Sequence, residues 1–133
     1  MSDLLYPVII DQEYMRMKPG VVFLAPKEKI DLVFGDNVLD EVREKCRIIA
    51  TFLPDYSVST IKGLIRDADI ILSTWGMPQL TTELVEAASK LKIIIYGASS
   101  VKHFVHEDLF RRSIVVTTAA SANGRVVAEF TVA

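Results

Sequence analysis

The chain has 133 residues, half of them apolar, with 15 basic against 17 acidic side chains and a net charge of −2. That suits one globular domain burying roughly two thirds of its unfolded surface, and it argues against a nucleic-acid partner, since no basic cluster exceeds a pair such as Arg111 and Arg112. The lone Cys46 can form no internal disulfide and fits no zinc spacing, which predicts a buried thiol in a reducing, cytoplasmic setting.

Residues 1–19 read as an extension before the first strand. Their apolar patch, Leu4 to Ile10, is broken by Pro7 and has neither a basic start nor a small-residue cleavage site, so it predicts neither a signal peptide nor a membrane span. From Val21 onward, short apolar runs alternate with amphipathic segments. The runs Val21–Leu24, Arg47–Phe52, Asp69–Ser73, Lys92–Tyr96 and Ser113–Thr117 are rich in Ile and Val without strict polar alternation, the pattern of parallel strands buried on both faces. Pro26 ends the first, because proline has no amide to donate.

Four helices are predicted between these strands, with a further one trailing the last. Val38–Lys45 places Val38, Leu39 and Val42 on one side after Asp36 or Asn37 as a cap. Ser59–Ala68 groups Ile61, Leu64 and Ile65 behind Ser59 or Ser57. Thr81–Lys90 starts on Thr81 or Thr82 and sets Leu84, Val85 and Ala88 at core spacing. His106–Ser113 carries acids in its first turn and bases in its last, as the helix dipole favours. Right-handed crossovers then give an α/β fold, a flavodoxin-like doubly wound five-stranded parallel sheet in the order 2-1-3-4-5.

In such sheets ligands gather at the carboxyl ends of the strands. The loops there are APKEK after strand one, PDYS after two, TWGMPQ after three and GASSVKHF after four. Gly97–Ser100 is a run of small residues. It is either an ordinary strand-to-helix turn or a place where backbone amides approach an anion, with Lys102 as counter-charge. Trp75 either walls a pocket or covers the sheet edge; Ser73 and Thr74 are hydroxyl contacts or caps. His103 and His106 lack a partner carboxylate motif and a nucleophile in a strained turn, so neither is assigned to catalysis. The chain has no GxGxxG and no GxxxxGK[ST].

Two stretches carry a family resemblance. ADIILSTWGMPQLTTELVEAASKLKIIIYGASSVKHFV and RRSIVVTTAASANGRVVAEFTVA, within residues 68–133, resemble the end of the N-terminal catalytic domain of the D-isomer-specific 2-hydroxyacid dehydrogenases, which include phosphoglycerate, glycerate, lactate and formate dehydrogenases. Residues 21–67 agree in layout only. The resemblance implies an NAD- or NADP-dependent oxidoreductase acting on the CH–OH group of a small 2-hydroxy or 2-oxo acid, working as a homodimer. It implies that Ala98, Ser99 and Ser100 contact substrate, with Ser99 also touching the cofactor, and that Thr74, Trp75 and Gly76 close the pocket. Where most members have G-x-G-x-D-N, this chain has Ala98, Ser99, Ser100, Val101, Lys102 and His103, so Lys102 and His103 replace the usual aspartate and asparagine.

The family's arginine, histidine and glutamate of catalysis belong to a second, dinucleotide-binding domain, so no catalytic residue transfers to this chain. The expected organisation is an extension over 1–19, the substrate domain over 20–122, and the start of an interdomain helix over 123–133. Val126, Val127, Phe130 and Val132 would suit docking on another domain or subunit. The chain taken alone is expected to be inactive. A free-standing module that binds a small anion or dimerises is the rival reading.

Overall fold

The structure, a computed structural model, describes residues 17–119. Five strands form one parallel sheet: β1 (Gly20–Phe23), β2 (Arg47–Ala50), β3 (Ile70–Ser73), β4 (Ile93–Tyr96) and β5 (Val115–Thr118), in the order β2-β1-β3-β4-β5. Among the described residues, these helices accompany them: α1 (Lys27–Val33), α2 (Asp36–Lys45), α3 (Val58–Ile65), α4 (Thr82–Ala87) and α5 (Glu107–Arg111). The expected fold and strand order are the observed ones. The expected interdomain helix over 123–133 and all of the extension except residues 17–19 lie outside the described residues. Among the described residues, no helix is long and apolar enough to cross a membrane.

Alternation along the strands feeds two cores. Val22, Ile71, Ile94 and Tyr96 face one side, where Ile61 and Ile65 of α3, Leu84 and Val85 of α4 and Leu109 of α5 close over them. Val21, Phe23 and Leu72 face the other, against Ile30 of α1 and the partly buried Leu39 and Val42 of α2. Phe23 meets Phe34 edge-on at 5.7 Å between centroids, a favoured aromatic arrangement. Cys46 is half-buried against this second core rather than fully buried.

Three expectations are corrected. APKEK is not a loop, because α1 begins at Lys27, with the Pro26 carbonyl accepting from Lys29 and Ile30 at 3.0 Å. Proline suits a helix entry since it removes only an amide that would lack a helical partner. Burial on both faces holds for β1 but not across the sheet: β2 and β5 are its edges, where Val115 of β5 is 53% exposed, and even in the inner strand β4 Ile95 is 36% exposed. Val38 is exposed, whereas Leu39 and Val42 pack against the second core.

Caps set the helix limits. Ser57 and Thr81 accept from the amides of Thr60 and Leu84, and His106 Nδ1 accepts from that of Asp108, each satisfying an otherwise orphaned donor. At the far end of α4, Arg112 donates to the Val85 and Ala88 carbonyls, joining α5 to α4.

Candidate functional site

The loops after β3 and β4 leave the sheet side by side, because the Gly97 amide donates to the Ser73 carbonyl at 2.8 Å, one step beyond the Ser73–Tyr96 register pair. The close approach needs a glycine. A Cβ on Gly97 would lie 2.9 Å from Val33 Cγ1 and 3.3 Å from Phe34 Cζ, so α1 is packed directly against the start of this turn.

After β3, the Met77 amide donates to the Thr74 carbonyl at 3.1 Å and closes a four-residue turn. Gly76 occupies its third position with φ +89°, a backbone state that favours glycine. A side chain there would also strike Pro26, whose Cδ would be 2.7 Å from its Cβ. The turn is held from a third side by Tyr56, whose hydroxyl donates to the Gly76 carbonyl at 2.5 Å. Burial, and then the nearby Glu28 carboxylate, hold the Tyr56 phenol above its ordinary pKa of 10.0, so it remains a donor at neutral pH.

Behind Tyr56, Asp55 accepts from the Ser57 amide at 2.8 Å and from the Thr60 hydroxyl at 3.1 Å. These bonds, Ser57 first, hold its carboxyl below its ordinary range, and they anchor the loop to the first turn of α3.

The predicted residues have distinct placements. Ser73 and Thr74 are fully buried; the Ser73 hydroxyl donates to the Leu24 carbonyl at 2.5 Å, whereas Thr74 Oγ1 has no hydrogen-bond partner among the described residues. Trp75 is 52% exposed, beside the exposed Gly76. Ala98 is buried, with its carbonyl accepting from the Ala119 amide at 3.1 Å, while Ser99 and Ser100 are exposed. Thr74–Gly76 and Ala98–Ser100 therefore converge on one edge of the sheet. His103 stands apart from this convergence in role: its ring lies against Tyr96 and Phe104, with centroids 5.9 and 5.2 Å away.

Sequence reasoning did not single out Pro26 and Tyr56 as partners of the turn. Tyr56 lies in the PDYS loop, but nothing in the sequence reports a hydrogen bond between residues 20 positions apart. The arrangement offers the exposed residues Ser99 and Ser100 and the half-exposed indole of Trp75 on neighbouring loops. Among the described residues, no group of three or more His, Cys, Asp or Glu side chains is placed to hold a metal ion.

A cavity of about 550 Å³ opens between α1, α2 and residues 51–52, walled by Phe23, Ile30, Phe34, Leu39 and Phe52. Phe34, in its wall, also borders Gly97 at the start of the turn after β4.

No protein-family model and no curated protein matches the chain. Solved structures do. The PH0520 protein from Pyrococcus horikoshii OT3 is 27% identical, with a TM-score of 0.61, over 87% of this chain and 32% of that one. An acyclic imino acid reductase in complex with NADPH and D-Arg is 18% identical, with a TM-score of 0.58, over 75% and 30%. The NAD+-bound 3-phosphoglycerate dehydrogenase of Entamoeba histolytica is 19% identical, with a TM-score of 0.55, over 77% and 33%. The chain spans about a third of the length of each. It thus shares its fold with part of a phosphoglycerate dehydrogenase, a member of the family that residues 68–133 resemble.

Proposed function

We propose that this chain is the substrate-binding part of an NAD- or NADP-dependent D-2-hydroxyacid dehydrogenase, an oxidoreductase acting on the CH–OH group of a small 2-hydroxy acid. The observation that carries the reading is the Gly97-to-Ser73 hydrogen bond, which sets Thr74–Gly76 beside Ala98–Ser100, the two segments that the family resemblance assigns to substrate. The fold shared with nicotinamide-bound reductase and dehydrogenase structures supports it.

In this reading the exposed amides and hydroxyls of Ser99 and Ser100 face the substrate carboxylate, and Trp75 shields one side of it from water. Desolvation on that side strengthens each polar contact made there. A bound nicotinamide supplies or accepts the hydride, and Ser99 is this chain's contact to it. The cofactor is held mainly by a second domain, so the chain alone has no dehydrogenase activity. In the complete enzyme we expect a homodimer.

Isothermal titration of NADH into this chain tests where cofactor affinity resides. The proposal expects no binding in the micromolar range; micromolar affinity would overturn the assignment of the cofactor to another domain.

A further inference from the structure

We propose that the opposite, amino-terminal edge of the sheet carries an anion site built around Arg47 and Lys92, suited to a compact dianion bearing a phosphoryl group. This goes beyond the dehydrogenase reading and does not rest on it. The two edges are separated by the four-residue strands, about 13 Å at the usual rise per residue.

A cavity of about 410 Å³ lies at this edge. Lys18, Arg47, Lys90 and Lys92 contribute four cations to its lining, against the carboxylates of Asp67 and Asp69. Both carboxylates are engaged within the fold. Asp69 Oδ2 accepts from the Gly20 amide at 2.8 Å, and Asp67 Oδ1 lies 3.6 Å from Lys90 Nζ. Among the described residues, the side chains of Arg47 and Lys92 have no hydrogen-bond or ion-pair partner, their backbone groups alone being engaged. For Arg47 this matters most, because its side chain is half-buried and a partly desolvated charge without a partner is costly.

The guanidinium position is built into the strand ends. Gly20 starts β1 beside Arg47 of β2, and a Cβ on Gly20 would meet the Asp67 carbonyl at 2.9 Å, Ile49 Cδ1 at 3.0 Å and Arg47 Nη2 at 3.1 Å. Glycine is therefore what leaves room for Arg47 to lie across the end of β1. Lys92 enters the same cavity from the start of β4, on the far side of Asp69. A planar fork and a mobile ammonium on opposite sides of one cavity match the several acceptor oxygens of a phosphoryl group.

The test is a 31P NMR titration of inorganic phosphate with the whole chain at pH 8 and low salt, where exposed charges are least screened. Arg47→Gln and Lys92→Gln are compared with Lys27→Gln, which removes a cation from α1 that pairs with Asp31. Saturable binding is expected, weakened about tenfold or more by either pocket substitution and unchanged by Lys27→Gln. Absence of saturation, or equal weakening by all three, would overturn the site and leave only unspecific attraction between charges. Should Arg47→Gln disturb the fold by circular dichroism, the exposed Lys92 decides between these results.

Discussion

The Tyr56 hydroxyl donates to the Gly76 carbonyl at 2.5 Å, joining the loop after β2 to the turn that displays Trp75. Tyr56→Phe removes the donor while keeping the ring. Because the carbonyl can turn to water instead, we expect a loss of only about 0.5–1.5 kcal/mol. Trp75 is the chain's single tryptophan, so acrylamide quenching of its fluorescence reads the turn directly. Quenching should rise with the far-UV spectrum unchanged; an unaltered quenching constant would mean that Pro26 and the turn's own bond suffice.

Gly76→Ala is the stronger perturbation. It forces a side chain into φ +89° and against Pro26 Cδ, a strain on the order of 1–3 kcal/mol. The thermal midpoint should fall well below that of Tyr56→Phe, and a midpoint equal to wild type would show that the turn can change type freely.

Alkaline pH gives an independent reading of the same phenol. Tyr56 is held above 10.0 by burial and then by Glu28, and Tyr96 by burial. The unfolded chain therefore releases these protons first, the folded form binds more of them, and stability falls as pH rises past about 10. Denaturant unfolding between pH 9 and 11 should show this decline, with a shallower slope in Tyr56→Phe.

Ser113 has φ +57° and sits just past the end of α5, where the Ile114 amide donates to the Leu109 carbonyl at 2.8 Å and the Ser113 amide to that of Phe110 at 3.0 Å. This double bond pattern is a Schellman motif, whose left-handed position glycine fills best. Ser113→Gly should stabilise the chain by about 1 kcal/mol, measured as a raised denaturation midpoint.

Ser113 also shows where the sequence misleads. Its neighbours Ile114, Val115 and Val116 read as a strand beginning at residue 113, yet a helix-ending turn occupies that position and β5 starts two residues later. The sheet order was legible because five apolar runs at regular spacing admit few right-handed arrangements. α1 was hidden by Pro26, which marks a strand end as readily as a helix start, although Ile30, Val33 and Phe34 carry helical spacing. At the candidate site, the run Gly97–Ser100 announced a close backbone approach, and the structure pairs it with Ser73. The long-range partners of Gly76 left no local signal, since contacts of Pro26 and Tyr56 with the turn arise only once the sheet brings three loops together.

The most direct test of the proposed substrate edge is a 1H–15N NMR titration of this chain with a small 2-oxo acid such as pyruvate. The account predicts progressive, saturable shifts confined to the amides of Thr74–Gly76 and Ala98–Ser100. Shifts that bypass both segments, or none at concentrations that saturate a millimolar site, would contradict it.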